Sequence, residues 1–333
     1  MKGKWLIWLS IIAGFAIFAV IAASVNTTSV FQTLRLLSFE KYLILLGFYA
    51  VLFAISLARW GMTIQAFGGK VSFLKLLTYR LSEWACGYIT PFSRLGGEPM
   101  MAYLLKKDGK LRYRKGIPSI VINKMFDFAA GMTLALIGFV LLLINYWDNI
   151  AGRTVFLLIA ALFILAALIY KFYSKTLQKE GFFTMLISPF KDMIPHRKFH
   201  SNIKLVEANL IDFFRKNKRK LIVLGIISLI FQILMLVEYK LIGMFLGIEL
   251  SLLHLMIINL FLVLAFVVPT PGSLGGMEGA LAFSFSLMAL GASRGFAFSL
   301  ALRSVEVTLT IIGLIFTYYY SIKSFKKVVE EKL

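Results

Sequence analysis

The chain of 333 residues contains few of the side chains on which most metal and redox sites are built. Its single cysteine, Cys86, cannot form a disulfide within the chain and disfavours a cysteine-based metal site. Of its three histidines, His196 and His200 lack the intervening glutamate of a zincin motif. The sequence also lacks a P-loop, a dinucleotide fingerprint and a G-x-S-x-G motif. We therefore expect no metal and no cofactor.

Acidic residues are also scarce, and apolar ones abound. There are 16 Asp and Glu against 36 Lys and Arg, which gives a net charge of +20, while 59% of the residues are hydrophobic. Several apolar runs exceed the roughly 20 residues that cross a bilayer. Because the basic residues lie between these runs, we expect anionic membrane lipids as partners and no nucleic acid. Oligomeric state is left open.

The hydropathy pattern predicts an all-α polytopic membrane protein with about six full transmembrane helices. Two further apolar regions, 78–105 and 251–290, are interrupted by helix-breaking residues. The N-terminal run is long enough to be an uncleaved span, and with the fourth span it is expected to be peripheral. The predicted full spans are 5–25, 42–66, 117–146, 153–172, 220–242 and 295–320.

The two interruptions resemble each other. Residues 90–98 read Thr-Pro-Phe-Ser-Arg-Leu-Gly-Gly-Glu, and residues 270–278 read Thr-Pro-Gly-Ser-Leu-Gly-Gly-Met-Glu. A second feature repeats at a spacing of 179 residues, namely a cation followed three positions later by an anion. Such a pair lies on one helix face and can form an ion pair. The repeated pairs are Lys124/Asp127 and Arg303/Glu306.

Charge predicts the orientation of the spans. Of the 36 basic residues, 27 lie in the two termini and in three segments, 68–80, 106–115 and 171–220. The positive-inside rule places these segments and both termini in the cytoplasm, and we expect a plasma-membrane protein. The two broken segments then enter the membrane from opposite faces as re-entrant hairpins. The alternative is that each crosses twice, which gives eight or more spans.

This topology divides the single transmembrane domain, 1–333, into an inverted repeat. The first unit covers 42–147, the second covers 220–322, and a basic connector, 173–219, joins them. Within the connector, apolar residues at helical spacing predict either an interfacial amphipathic helix or an ordinary solvated one. These residues are Phe199, Ile203, Val206, Leu210 and Phe213 or Phe214.

The first broken hairpin has the composition of an anion site. Arg80, Glu83, Arg94 and Glu98 surround the pair Gly96-Gly97. Charges within a membrane usually face a wet cavity or one another. A helix that begins after the glycines would direct free N–H groups towards the break, and with Arg94 these groups suit a lipid phosphate. The alternative is a structural ion pair between Arg94 and Glu98.

The second hairpin differs because its motif contains no arginine. Glu278 follows Gly275 and Gly276, and we expect it to pair with Arg303 or to carry a proton. Alternatively, Gly272 and Gly276, spaced as GxxxG, only allow close helix packing. The repeated cation–anion pairs fit gates, substrate contacts or structural salt bridges equally well.

These motifs resemble a known family. The patterns Arg80-x-x-Glu83, Pro91-x-x-Arg94-x-Gly96-Gly97-Glu98 and Pro271-Gly272-x-x-Gly275-Gly276-x-Glu278 resemble the flippase-like membrane region of lysylphosphatidylglycerol synthases. The resemblance covers about residues 5–322 and implies a helical domain that moves lipid between leaflets. The aminoacyl-transferase domain of the large synthases has no counterpart here. We therefore expect that the protein has no lysyltransferase activity and is not an enzyme.

The resulting hypothesis is a lipid flippase for an anionic or phosphate-bearing lipid, of the aminoacylated phospholipid or polyprenyl-phosphate-linked type. Alternatives are a small-solute or ion-coupled secondary transporter and an intramembrane lipid-modifying enzyme. The expected substrate-binding residues are Arg94, Gly96, Gly97, Glu98, Lys124, Gly275, Gly276 and Glu278. The expected coupling or gating residues are Arg80, Glu83, Asp127, Arg303 and Glu306.

Overall fold

The computed structural model describes residues 2–90, 96–107, 111–147, 197–266 and 268–330, with five single positions between 163 and 174. Eleven α-helices and one 3₁₀ turn make up the regular structure of these residues, and no strand occurs among them. The predicted all-α membrane fold is therefore confirmed. The predicted span at 153–172 lies outside the described residues.

The helices follow the chain in two similar series. The N-terminal pair and the first series are α1 (Lys2–Ser24), α2 (Thr27–Leu34), α3 (Phe39–Ala66), α4 (Phe73–Ile89), α5 (Gly97–Lys107) and α6 (Tyr113–Tyr146). The connector helix and the second series are α7 (Arg197–Lys216), α8 (Lys218–Phe245), α9 (Leu252–Ala265), the 3₁₀ turn (Pro271–Ser273), α10 (Gly276–Leu287) and α11 (Ala292–Glu330).

Four helices are long and apolar enough to cross a membrane: α3, α6, α8 and the part of α11 up to Tyr319. They match the spans predicted at 42–66, 117–146, 220–242 and 295–320. Large apolar side chains on their outer faces are exposed, as expected where lipid replaces water. Examples are Val51, Val140, Ile144, Ile230 and Ile315.

The predicted span 5–25 corresponds to α1, which is followed by a sharp turn that hydropathy did not predict. Helix α2 departs from α1 at an angle of 95°. Asn26 ends the first helix and caps the second, because its side chain accepts a hydrogen bond from the Ser29 N–H at 3.0 Å. Sequence reasoning missed α2 because eight residues are too few for a strong periodic signal.

Both repeated motifs break the helix, as predicted. The first break separates α4 from α5, and the second separates α9 from α10. In the second break Gly272 and Gly275 have φ of +55° and +79°, a conformation that glycine adopts at little cost. The arms contain 17, 11, 14 and 12 residues. At ~1.5 Å per residue each arm is shorter than the roughly 30 Å hydrocarbon core.

The two series pack against each other in matching pairs. Helix α4 packs on α11, and its counterpart α9 packs on α6. The counterpart helices α3 and α8 pack on each other. In the first series α5 packs on α6, and in the second series α10 packs on α11 in the same way. The largest buried apolar cluster contains residues from both series, including Leu81, Met132, Ile257, Phe285 and Val305.

Glycines permit the closest of these contacts. A side chain at Gly138 of α6 would overlap the carbonyl oxygen of Met256 on α9. A side chain at Gly313 of α11 would overlap the carbonyl oxygen of Leu81 on α4. Close backbone approach at small residues is a main source of helix association in membranes.

We expect Gly138→Ala and Gly313→Ala each to lower the free energy of unfolding by about 1–3 kcal/mol, because a backbone carbonyl has to move. Unfolding in mild detergent measures this loss. The matched control is Gly47→Ala on α3, where nothing lies within 4 Å of an added side chain. If all three variants are equally stable, these glycines do not hold the two series together.

The connector helix α7 turns its apolar face towards the protein. Val206, Leu210 and Phe213 are buried in one cluster with Ile122 and Leu224. An interfacial helix that inserts these residues into the bilayer is therefore wrong, since the protein already covers them. The other face is charged: Asp212 and Lys216 pair at 2.9 Å, which holds the pKa of Asp212 below its usual value.

Candidate substrate site at two chain breaks

The first break is surrounded by a charged cluster. Glu83, nearly fully buried on α4, accepts hydrogen bonds from Arg80 and from Lys124 of α6, both at 2.8 Å. Lys124 also lies 3.1 Å from Glu98, in the first turn of α5. The structure thus brings four predicted site residues together, whereas Arg94 lies outside the described residues.

The paired glycines of the first motif allow α5 to begin directly against α4. A side chain on Gly97 would overlap the backbone carbonyl of Glu83, and one on Gly96 would overlap the side chain of Thr90. These glycines are therefore required for close packing as well as suited to exposing backbone N–H groups. The sequence analysis had assigned these glycines only the second of these roles.

The second break is surrounded by a network around Glu278, which is fully buried. One carboxylate oxygen accepts a hydrogen bond from the N–H of Gly275 at 2.8 Å, and the other accepts one from Nε of Arg303 on α11. Nη1 of Arg303 donates to the Tyr88 hydroxyl at 2.8 Å and to the Gly272 carbonyl at 3.2 Å. The predicted pairing of Glu278 with Arg303 is confirmed.

The two breaks are therefore built alike. In each, the glutamate that ends the motif pairs with the cation at the repeated position, Glu98 with Lys124 and Glu278 with Arg303. These cations come from the helix that follows each hairpin, α6 or α11. The second motif, which contains no arginine of its own, thus acquires one from α11.

Tyr88 joins the two breaks. It lies on the last turn of α4, immediately before the first break, and its hydroxyl accepts a hydrogen bond from Arg303 at 2.8 Å. Its ring covers Gly272, where any side chain would collide with it. Sequence reasoning missed Tyr88, although a polar aromatic residue just before a membrane-depth break could have indicated it. The end of α4 therefore contacts the second break.

Asp127 has a partner that the sequence analysis overlooked. Arg59 of α3, almost completely buried, contacts Asp127 at 2.5 Å. It also donates to Asn123 at 2.9 Å and to Ser228 of α8 at 2.6 Å, and it lies 5.8 Å from the ring centre of Phe231. This cluster ties α3, α6 and α8 together. A lone cation within the apolar run 42–66 was the signal that could have identified it.

Glu306 occupies the position equivalent to Asp127 but has different surroundings. The repeat spacing of 179 residues relates Arg59 to Glu238 of α8, which is fully buried. The Tyr49 hydroxyl lies within electrostatic range of both Glu238 and Glu306. Where the first series holds a cation and an anion, the second therefore holds two carboxyl groups. Glu238, like Arg59, was missed within an apolar run.

Helix α1 covers the second break. Gly14 lies against Thr270 and Leu274, and Gly275 lies against Ile17, with no space for a side chain at Gly275. Large side chains of α1 such as Trp8, Phe15 and Val20 are exposed, as expected for a peripheral span, while its small residues allow it to pack directly on the break. Over the described part of the chain, no cluster of three or more metal-ligating residues accompanies this site.

Fold and site together define an all-α membrane protein with charged groups beside two breaks in its helices. The chain belongs to the family described as "Lysylphosphatidylglycerol synthase TM region", whose profile matches residues 7–313.

Two similar proteins are both named "UPF0104 membrane protein" and come from Methanothermobacter thermautotrophicus. One is 26% identical over 298 residues, which cover 84% of each chain. The other is 25% identical over 248 residues, 71% of this chain and 72% of its own. No solved structure matches this chain.

Proposed function

We propose that the protein is a lipid translocase that moves an anionic or phosphate-bearing lipid between leaflets. The headgroup passes between the two breaks while the acyl or prenyl tails stay in the bilayer. The observation that carries this proposal is the contact between the breaks through Tyr88 and Arg303, at 2.8 Å. It places two cation–carboxylate pairs beside non-helical backbone, in a protein whose outer surface is apolar.

A polar substrate would explain why the protein keeps irregular backbone and charged groups at membrane depth, where both are energetically unfavourable. Irregular backbone at membrane depth is tolerated where protein buries it or where it lines a cavity. Charged groups at that depth usually mark a substrate or ion pathway. The family's description refers to a phospholipid synthase, which favours a lipid over a water-soluble solute. A substrate of the aminoacylated phospholipid or polyprenyl-phosphate type has the required anionic group.

We further propose that the two series form an inverted repeat. The short arms favour re-entrant hairpins over eight or more spans, and the matching helix contacts are those of two equivalent units. The basic segments orient the first hairpin towards the cytoplasm, with both termini on that side of the plasma membrane. Alternating movement of the units would then open the site to one leaflet at a time.

Within this proposal the two breaks have complementary tasks. Arg94, Lys124 and the Gly96-Gly97 backbone bind phosphate on the cytoplasmic side. Four carboxylates hold the cations in place or accompany substrate movement: Glu83, Glu98, Asp127 and Glu306. Arg80, which pairs with Glu83, has the same coupling role. Arg303 and Glu278 form the corresponding pair in the second break.

Reconstitution into liposomes tests the proposal. Fluorescent phosphatidylglycerol and a polyprenyl phosphate analogue are placed in the membrane, and a membrane-impermeant quencher reports their exchange between leaflets. We expect wild-type protein to accelerate the movement of at least one lipid. Arg94→Ala and Lys124→Ala should each slow that movement about tenfold, since each removes a hydrogen bond of about 1.5 kcal/mol or more to a charged group.

The matched control is Lys115→Ala, which removes an exposed cation at the start of α6. It should translocate at the wild-type rate. Lipid movement no faster than in protein-free liposomes, for every lipid tried, would reject the proposal. Uptake of a water-soluble solute without lipid movement would instead assign the protein to the secondary transporters.

A further inference from the structure

Two buried polar groups in the second break lack a hydrogen-bond partner in the described part of the chain. Ser273 is fully buried, and its hydroxyl has no hydrogen-bond partner among the described residues. Nη2 of Arg303 is also buried without a hydrogen-bond partner in that part of the chain. Both belong to the same break, since Arg303 donates to the carbonyl of Gly272, the residue before Ser273. Buried polar groups are normally satisfied, so an unmet guanidinium nitrogen and an unmet hydroxyl in one break can each donate to an additional acceptor.

Glu278 already occupies part of an anion site at this point. Its carboxylate takes the N–H of Gly275, just before the twelve-residue helix α10, and Nε of Arg303. A helix N-terminus and an arginine are also the donors that typically bind phosphate. The carboxylate thus holds the donors that an external phosphate would take, but has only two oxygens to share among them. Ser273 and Nη2 of Arg303 are left over.

We propose that Glu278 is an internal substitute for the substrate's phosphate. The incoming phosphate displaces the Glu278 carboxylate from Arg303 and from the Gly275 N–H, and it also accepts from Ser273 and Nη2 of Arg303. When the phosphate leaves, the carboxylate returns and the break closes. This inference rests on the proposed function, and it assigns the second break as the point where a phosphate group and a carboxylate compete.

The competition explains why a tight anion site can release its ligand. A phosphate held by an arginine, a helix N-terminus and a buried hydroxyl would dissociate slowly if nothing replaced it. Here a tethered carboxylate is always available for the same donors. Tyr88 of α4 and Arg303 of α11 are the hydrogen-bonded polar groups beside it, Glu306 of α11 lies within electrostatic range of Arg303, and residues 255–265 of α9 contain no titratable side chain.

The first test removes the competing charge. In Glu278→Gln the side chain can still cap the helix, because glutamine serves at this position as glutamate does. Purified protein in mild detergent is titrated calorimetrically with dihexanoyl phosphatidylglycerol, a soluble phosphodiester lipid. We expect this variant to bind the lipid about tenfold more tightly than wild type, because the donors are no longer occupied by an anion.

The control for that test is Glu249→Gln, which removes an exposed carboxylate outside the site. It should leave the affinity unchanged. If Glu278→Gln folds like wild type but binds the lipid equally well or more weakly, the competition does not exist.

The second test removes an unmet donor. Ser273→Ala should weaken lipid binding about tenfold, the value of one hydrogen bond to a charged group, without lowering the melting temperature. A structural serine would show the opposite pattern, with lower stability and unchanged affinity. Ser284→Ala on α10 is the matched control, because Ser284 is equally buried but donates to the Leu281 carbonyl at 3.0 Å. Unchanged affinity in Ser273→Ala would overturn the assignment.

Inorganic phosphate in the same titrations identifies the source of the anion. Binding of the lipid without binding of phosphate supports a headgroup site, and equal binding of both overturns the lipid assignment. The translocation assay separates this inference from the proposed function. If the two variants show the affinity shifts but the protein moves no lipid, the anion site is supported and the translocase is rejected. If the protein moves lipid but the variants show no affinity shift, the translocase is supported and the competition at Glu278 is rejected.

Discussion

Replacing Arg59 by methionine is expected to lower the free energy of unfolding by about 3 kcal/mol, because it leaves the largely buried Asp127 without its cation. Arg59 also satisfies Asn123 and Ser228, so its loss disturbs hydrogen bonds on three helices. Reversible unfolding in mixed detergent measures the change. The effect concerns stability and should appear whether or not a lipid is bound.

Two comparisons make this prediction specific. Removing both charges, in Arg59→Met with Asp127→Leu, should restore much of the loss, because no uncompensated charge stays buried. Lys216→Met breaks the exposed Lys216–Asp212 pair and should leave stability almost unchanged, because solvent screens this pair. Equal stability of Arg59→Met and Lys216→Met would show that the buried cluster does not hold the helices.

Replacing Arg303 by lysine is expected to slow lipid movement roughly 10- to 100-fold, which corresponds to one lost hydrogen bond of about 1.5–3 kcal/mol to a charged group. Arg303 serves Glu278, Tyr88 and Gly272 at once through its planar guanidinium. Lysine keeps the charge but concentrates it at one atom, so it cannot bind all three groups in the same geometry. The liposome assay measures the rate.

Arg294→Lys is the matched control for this substitution. Arg294 is exposed in the first turn of the same helix, so the exchange should leave the rate unchanged. Melting temperatures of both variants show whether folding is preserved. A wild-type rate in Arg303→Lys would mean that the guanidinium does not act in the transport step.

The breaks in the helices could be predicted from the sequence, because proline and glycine act locally on the backbone. The partners of the charged residues could not, since spacing shows only which side chains share a helix face. Lys124 and Asp127 share a face, yet Lys124 reaches Glu83 and Glu98, and Asp127 reaches Arg59. Which helix lies opposite a charge is decided by tertiary packing.

Some residues of the site that the sequence analysis missed could have been recognised from the sequence, and others could not. Arg59 and Glu238 are single charges within apolar runs, a pattern that by itself indicates a functional or paired group. No sequence pattern indicated that α1 packs on the second break, because this contact depends on Gly14 facing Thr270. A glycine in an apolar helix is common, and only the assembled fold shows which one meets a neighbour.

In the proposed mechanism the headgroup passes between the two breaks where Tyr88 meets Gly272. In a Cys86→Ser background, Tyr88→Cys and Gly272→Cys place thiols on either side of this contact, and a short bifunctional thiol reagent joins them. Lipid movement is then measured in one liposome preparation before and after the reaction. We expect that joining the breaks abolishes the movement. Unchanged movement in fully cross-linked protein would contradict this mechanism.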